Sequence, residues 1–174
     1  MNFGAFNREN HGDLTFDDSK NLEKVDGVAK VDARIQGRAS LSLRGKNVST
    51  QIIGVSPSAF NEMSTTPTVQ GKNLNNNDRF TTVLGYRIYS QVFEGEDLLN
   101  RQLRVEDTYS VRVVGLLNQS SGSLIVSDNA LYVPIESAKT ILNKTKPDSI
   151  FVLVKNGFDA DTVAANLENQ LLAL

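Results

Sequence analysis

The stretch that decides the fold runs from residue 79 to residue 117. It reads Arg-Phe-Thr-Thr-Val-Leu-Gly at residues 79–85, Gln-Leu-Arg-Val at 102–105, and Tyr-Ser-Val-Arg-Val-Val-Gly-Leu-Leu at 109–117. Each of these three segments has the composition and alternation typical of a strand. Between the first two, Ile88 and Val92 lie four residues apart, which predicts a short helix. Glycines separate the elements, and no catalytic group stands out among them.

The chain before this stretch predicts a capped helix and then a long hairpin. Residues 15–18, Thr-Phe-Asp-Asp, have the form of a capping box in which Asp18 replaces the usual Glu or Gln, and Gly27 ends the helix. Residues 28–55 alternate around a turn at 44–47, which predicts an antiparallel hairpin with one buried and one wet face. The residues expected on the wet face are Asp32, Arg34, Gln36, Ser40 and Ser42.

The remaining segments are predicted from short local signals. Residues 64–78 and 118–124 are expected to be exposed loops, and we regard them as the candidate surface for partner contacts. A short helix is expected to hold Phe60 and Met63. The other predicted elements are short strands at 124–126 and 131–133, a helix from Pro134 to Leu142, a central strand at 150–154, and a final helix capped by Asp159.

The order of these elements predicts an α+β fold with two lobes. Residues 14–60 and 146–174 are expected to form one lobe built from both chain ends. Residues 61–145 are expected to form an inserted, smaller β-rich lobe with short helices. Residues 1–13 are polar and aperiodic, and they are expected to be an extended lead-in.

Composition and charge argue against several classes of function. The chain has 18 basic and 20 acidic residues without a basic block, so nucleic acid is not an expected partner. It has no cysteine, which rules out disulfides, a thiolate nucleophile and Cys-based zinc sites. No apolar run approaches the ~20 residues that span a bilayer, and the N-terminus does not resemble a signal peptide. The chain is therefore expected to be either a soluble protein or one part of a larger protein.

The search for catalytic, cofactor-binding and metal-binding residues assigns none. His11 is the only histidine, and no triad or metal site can be built around it. Asp17 and Asp18 are better explained by the helix dipole than by acid–base chemistry. Residues 75–78, Asn-Asn-Asn-Asp, lack the spacing of a calcium loop, and there is no phosphate-binding glycine loop. The aromatic residues Tyr86, Tyr89 and Phe93 have a helical spacing that is typical of a core rather than of a stacking platform.

Several motifs, in order and spacing, resemble one family over residues 14–174. The segments that carry the resemblance are Leu14-Thr-x-x-Asp18 with Leu22, Val25 and Gly27-Val28; Ile53-Gly-Val-x-Pro57 with Phe60, Gly71-Lys72 and Leu74; Val83-Leu-Gly85 with Val92-Phe93 and Leu103-x-Val105; Tyr109 to Leu117; and Ala130 to Ile135. Together they resemble the extracytoplasmic core domain of MacB/FtsX-type ABC transporter permeases. Two departures are Lys72, where the family usually has Arg, and residues 98–100, Leu-Leu-Asn, where it often has a Pro-x-Gly turn.

The resemblance implies a location and a role. It implies a domain between two membrane helices of a permease, on the extracytoplasmic side, with a porter-like α/β lobe formed by the two chain ends. It implies no chemistry in this domain, because ATP is bound and hydrolysed by a separate cytoplasmic nucleotide-binding subunit or domain. The domain would couple that hydrolysis to conformational change outside the membrane, for export or mechanotransmission.

The partners implied by the resemblance are a second permease copy in a homodimer, the cytoplasmic ATP-binding subunit, and an adaptor or substrate protein. The alternative function is an extracellular ligand- or protein-binding sensor module. Apolar spans of ~20 residues on both sides of the segment would distinguish the permease domain from the sensor.

Overall fold

The computed structural model of the protein describes residues 3–7 and 14–173. Its strands are β1 (Phe3–Asn7), β2 (Val28–Leu43), β3 (Lys46–Val55), β4 (Thr68–Gly71), β5 (Thr81–Leu84), β6 (Gln102–Val105), β7 (Tyr109–Leu117), β8 (Ala130–Pro134) and β9 (Ser149–Val154). Its helices are α1 (Phe16–Leu22), α2 (Pro57–Met63), α3 (Ile135–Leu142) and α4 (Ala160–Ala173), and a π-helical turn covers Ile88–Val92. Helices and strands are mixed along the chain, so the predicted α+β class is confirmed.

The chain divides into two compact units. The first comprises Met1–Ile35 together with Lys144–Leu174, and the second comprises Gln36–Asn143. The sequence prediction grouped residues 36–60 with the chain ends, whereas the structure groups them with the middle of the chain. The inserted unit is therefore the longer one. The physical reason is strand pairing over long range, because the end of β2 pairs with β6 and β3 pairs with β8.

The first unit has a three-stranded antiparallel sheet with β9 in its centre. Strand β9 pairs with β1 on one side and with the beginning of β2 on the other. Phe3–Asn7 therefore form a strand within the segment that was expected to be an extended lead-in, while the rest of residues 1–13 lies outside the described residues. Helices α1 and α4 contact each other. The core residues are Leu14, Leu22, Val28, Val31, Ala33, Ile150, Val152, Val154, Val163 and Leu167.

Helix α1 begins with the predicted capping box. The backbone N–H of Asp18 donates to Thr15 Oγ1 over 3.0 Å, and the backbone N–H of Thr15 donates to Asp18 Oδ2 over 2.8 Å. Both bonds satisfy N–H groups that the first turn of a helix leaves without partners. Asp therefore performs the task usually given to Glu or Gln at this position.

The expectation that Asp32 and Arg34 lie on a wet face is wrong. Their exposed fractions are 0% and 4%. The Nε–H of Arg34 donates to Asp32 Oδ2 over 2.8 Å, and the guanidinium lies 4.4 Å from the centre of the Phe151 ring. Pairing within the strand and contact with an aromatic ring compensate part of the cost of removing two charges from water. Alternation therefore predicted which residues share a face, but it did not predict that this face is covered at Asp32 and Arg34 while Gln36 is exposed.

Five strands of the second unit and the end of β2 close into a ring. In order around the ring they are β2, β3, β8, β5, β7 and β6, with β6 paired to both β7 and the end of β2. Strands β3 and β8 are parallel, as are β5 and β7. Strand β4 extends the sheet from β7 outside this ring. Closure gives each of the six ring strands a partner on both sides over at least part of its length.

Helix α3 packs closely on β3. A Cβ atom added to Gly54 would lie 2.2 Å from the Cβ of Ala138, and its next neighbours are atoms of Ile135. Only glycine permits this approach, which explains the glycine in the apolar segment Ile52-Ile53-Gly54-Val55. The contact fixes α3 against the parallel pair β3 and β8.

Several local predictions differ from the structure. The helix predicted after Gly85 is a π-helical turn, Ile88–Val92. The strand predicted at residues 124–126 is absent, because this segment is held by side-chain hydrogen bonds instead of a ladder. Strand β4 lies within the predicted loop 64–78. Among the described residues, no helix combines the length and the apolar composition needed to cross a membrane.

Candidate functional site

The two predicted loops at 64–78 and 118–124 lie together in the second unit. The backbone N–H of Asn118 donates to the carbonyl of Pro67 over 2.9 Å. Immediately beside this bond, Thr68 at the start of β4 is paired with Leu117 at the end of β7. We call residues 64–78 and 118–124 the loop surface. The pairing of β4 with β7 is the physical cause of their proximity, and the sequence did not predict it.

A cleft of about 290 Å³ opens at the loop surface. Phe60 and Leu117, both buried residues, provide apolar parts of its lining. The other lining residues are uncharged and mostly carry hydroxyl or amide groups: Asn61, Ser64, Thr65, Thr66, Pro67, Thr68 and Asn73. Such a lining can form hydrogen bonds and bury apolar groups, but it holds neither a titratable acid–base pair nor a nucleophile with an adjacent base.

The second loop presents a leucine to solvent from an anchored backbone. Leu124 is 74% exposed, although the next two residues, Ile125 and Val126, are buried. Their backbone N–H groups donate to Ser123 Oγ over 3.0 and 3.3 Å. Leu124 is therefore held outward by its neighbours. Exposed apolar side chains in a fixed backbone are typical of protein contact surfaces when they cluster.

The tyrosines considered as a stacking platform have structural roles. The hydroxyl of Tyr89 donates to the carbonyl of Leu117 over 2.7 Å, and the Tyr86 ring meets the Tyr89 ring edge to face with centroids 5.6 Å apart. Burial raises the pKa of the Tyr89 hydroxyl, and the charges of Tyr86 and Asp128 raise it further. Tyr89 therefore keeps its proton and links the π-helical segment to β7. Phe93 is buried, as expected of a core residue.

Three acidic side chains named in the sequence analysis are bonded to the backbone, whereas Asp17 is an exposed residue of the first turn of α1. Asp18 closes the capping box of α1. Asp78 accepts a hydrogen bond from the backbone N–H of Asn75 over 3.1 Å. This bond closes a turn in residues 75–78, the segment that was compared with a calcium loop. Asp159 caps α4 as predicted, because its Oδ2 accepts from both the backbone and the hydroxyl of Thr162. The Thr162 hydroxyl, and then its backbone N–H, lower the pKa of Asp159.

No group of acidic, histidine or cysteine residues that could hold a metal occurs within the described part of the chain. His11 lies outside the described residues, so the structure says nothing of its position. Val69 and Leu124 have exposed fractions of 48% and 74%, and both lie in segments that were predicted to be exposed loops, although sequence reasoning did not single them out. Leu124 was also predicted to begin the strand at residues 124–126, and the structure supports the loop instead.

Comparison with known proteins identifies relatives over nearly the whole chain. The profile of the family described as MacB-like periplasmic core domain matches residues 2–170. An uncharacterized ABC transporter permease of Methanocaldococcus jannaschii is 26% identical over 156 residues, which cover 87% of this chain and 38% of that protein. The macrolide export ATP-binding/permease protein MacB of Bdellovibrio bacteriovorus is 22% identical over 162 residues, covering 89% of this chain and 25% of that protein. The chain thus spans well under half the length of these curated relatives.

The fold is also found in a solved structure. The crystal structure of the periplasmic region of MacB from Actinobacillus actinomycetemcomitans matches with a TM-score of 0.83 at 19% identity. The match covers 98% of this chain and 82% of that one. At this identity the likeness concerns the fold, and it extends through both units of the chain.

Proposed function

This chain belongs to the MacB-like periplasmic core domain family, on the extracytoplasmic side of the membrane, and from this premise we propose that it relays conformational change in an ABC transporter permease. In this proposal, ATP is hydrolysed on a separate cytoplasmic subunit or domain. The domain itself performs no chemistry and converts that hydrolysis into movement outside the membrane, for export or mechanotransmission.

The family match carries this proposal, because it spans residues 2–170 rather than one motif. The ABC transporter context is consistent with the names of the two curated relatives. A domain of this kind needs a rigid body and a surface for partners rather than an active site. The ring of strands provides a body in which each of the six strands has a partner on both sides over at least part of its length.

A non-catalytic role is supported by how four of the described carboxylates are used. Asp18, Asp78 and Asp159 each accept hydrogen bonds from backbone N–H groups. Asp32 is paired with Arg34 in a buried position. General acid–base catalysis requires groups that are free to exchange protons with a substrate, and these carboxylates already stabilise local structure.

The loop surface is the proposed place of partner contact. Its exposed apolar residues are Val69 and Leu124, and its cleft is lined by uncharged polar groups. The proposed partners are an adaptor or substrate protein and the second permease copy of a homodimer. Exposed apolar side chains near polar groups match the usual composition of a protein interface, in which apolar anchors are surrounded by hydrogen-bonding groups.

The proposal separates two measurable properties. The purified chain is expected to give no calorimetric heat with ATP and no ATP turnover. In the full-length permease with its ATP-binding subunit, Leu124→Asp is expected to change the rate of ATP turnover. The reason is that, in this proposal, a partner contact outside the membrane is linked to ATP hydrolysis on the cytoplasmic side. Phe158→Asp is the matched control, because Phe158 is an exposed apolar residue of the first unit.

Either of two results would contradict the proposal. ATP turnover by the purified chain would show that the domain carries chemistry of its own. Equal turnover by wild type and Leu124→Asp, both with and without a purified partner, would show that the loop surface is not linked to the ATP cycle.

A further inference from the structure

A second cleft in the second unit is lined by two cationic side chains. Its volume is about 300 Å³, and it is lined by Gly71, Lys72, Leu99, Asn100, Arg112 and Val114. It lies outside the cleft of the loop surface, with which it shares no lining residue. Nothing in the family relationship assigns it a ligand.

The cleft forms where β7 changes its partner. Along one edge, β7 pairs with β6 up to Arg112 and with β4 from Gly115 onward. Between them the turn before β6 is held to β7, because Asn100 N–H donates to the carbonyl of Val113 over 2.7 Å. On the opposite edge, the register with β5 shifts so that Val114 has no counterpart, as in a β-bulge. The partner change and the bulge open the sheet at this point.

Two backbone positions keep the cleft open. Asn100 has a φ of 65°, a left-handed conformation that asparagine tolerates better than most other residues. A Cβ atom on Gly71 would lie 2.1 Å from the carbonyl oxygen of Val114. The next residue, Lys72, donates its backbone N–H to that same oxygen over 2.9 Å. The side chain of Lys72 is therefore attached at the rim by a fixed backbone.

The two cations are available to a ligand. Within residues 14–173, neither Lys72 nor Arg112 forms an ion pair or a side-chain hydrogen bond. The neighbouring arginines differ, because Arg101 donates to the carbonyl of Asp97 and Arg104 donates to that of Asp107. The residues paired with Arg112 across the sheet, Thr81 and Gln102, are uncharged. Two cations at one cleft without an acid between them favour an anion.

The surrounding groups define which anion fits. Backbone N–H groups commonly recognise phosphate, but here those of Lys72, Asn100 and Arg112 already donate to carbonyl groups. Side chains are left as donors. The planar guanidinium of arginine forms two parallel hydrogen bonds with a carboxylate or a phosphate, so the occupied backbone N–H groups are what favours a carboxylate here. The apolar parts of the lining come from Leu99 and Val114.

We propose that this cleft binds a carboxylate carried on a short apolar stem, with Arg112 and Lys72 as its cationic partners. The carboxylate belongs either to a free small molecule or to an acidic side chain of a partner protein. The inference concerns this domain alone and stands whether or not the proposed relay function is correct.

The test is a titration of the isotope-labelled chain followed by amide chemical shifts. Butyrate is expected to give saturable shifts at Lys72, Asn100, Arg112 and Val114, whereas uncharged butyramide is not. Arg112→Gln and Lys72→Gln are each expected to weaken binding about tenfold through loss of a charge-assisted hydrogen bond. Arg87→Gln is the matched control, because Arg87 is exposed and lies outside the cleft.

Further ligands distinguish the source of the carboxylate. Tighter binding of acetyl-Ala-Glu-Ala-amide than of butyrate identifies an acidic side chain of a protein, and the reverse order identifies a free small molecule. Absence of saturable shifts with both ligands, equal shifts with butyramide, or equal weakening by Arg87→Gln would overturn the proposal. Tighter binding of inorganic phosphate than of both carboxylates would overturn the assignment of ligand chemistry.

Discussion

The beginning of strand β2, in the first unit, and strand β7, in the second, each carry an arginine, and the two arginines differ in burial. Arg34 on β2 is buried, bonded to Asp32 and in contact with Phe151. Arg112 on β7 is exposed, and in the described part of the chain it has no acidic partner. Both residues follow an alternating pattern in the sequence. The alternation of apolar and polar residues therefore assigns a side chain to one face of a strand, whereas long-range packing decides whether that face is covered.

The largest effect is expected from breaking the buried pair on β2. Asp32→Ala leaves the Arg34 charge in a buried position without its carboxylate, which costs about 3–5 kcal/mol of the free energy of unfolding. Chemical denaturation of the purified chain measures this loss. The double variant Asp32→Leu with Arg34→Met should recover most of it, because it removes both charges and keeps apolar volume. A loss below about 1 kcal/mol for Asp32→Ala would mean that the pair is not desolvated as the structure indicates.

A smaller effect is expected from disturbing the packing of α3 on β3 in the second unit, which depends on shape rather than on charge. Gly54→Ala would place a methyl group 2.2 Å from the Cβ of Ala138. The expected cost is about 1–3 kcal/mol, typical of overpacking a core. Adding Ala138→Gly should relieve the clash, so the double variant should be more stable than Gly54→Ala alone. Denaturation of both variants checks this, and failure of the second change to rescue the first would argue against the close packing of α3 on β3.

A further test concerns an exposed polar interaction of the first unit. Thr162 lowers the pKa of Asp159 in the folded state, so the Asp159 carboxylate stabilises the fold above its unfolded-state pKa. This contribution is lost as the pH falls through the folded-state pKa. The difference in stability between wild type and Asp159→Asn should therefore decrease on acidification from neutral pH. A difference that stays constant down to pH 2 would show that the carboxylate charge does not support the cap of α4.

The smallest effect on stability is expected from substituting Arg112, the exposed counterpart of the buried Arg34. Arg112→Gln should change the free energy of unfolding by no more than about 0.5 kcal/mol, because the side chain is exposed and has no ion pair among the described residues. Arg34→Gln should cost several kcal/mol under the same conditions. Denaturation curves of the two variants measure the contrast. Similar losses at both positions would show that Arg112 has a structural role.

Local features could be predicted from the sequence because neighbouring residues determine them. The capping box at Thr15, the cap at Asp159 and the hairpin turn after Leu43 all depend on residues close in the chain. The burial of Asp32 depends on distant partners instead. The parallel pairing of β3 with β8 and the pairing of β6 with the end of β2 likewise join segments that are far apart in sequence. The divide between the two units follows these pairings, which explains why its predicted position differed.

The candidate surfaces show the same limit. The two loops were predicted individually, but their proximity depends on the pairing of β4 with β7. The cationic cleft depends on the bulge at Val114 and on the left-handed backbone of Asn100. The family resemblance did imply a departure at residues 98–100, where a Pro-x-Gly turn is expected, but the left-handed backbone of Asn100 was not predicted from it.

The relay proposal is tested most directly by distances in the full-length permease. These 174 residues contain no cysteine. In a full-length permease from which any other cysteines have been removed, Leu124→Cys would therefore place one spin label on the loop surface of each copy in a homodimer. Pulsed electron paramagnetic resonance in lipid nanodiscs, with the ATP-binding subunit present, would give the distance between the two labels. We predict different distance distributions in the nucleotide-free and ATP-trapped states. Identical distributions in both states would contradict the claim that this domain moves with the ATP cycle.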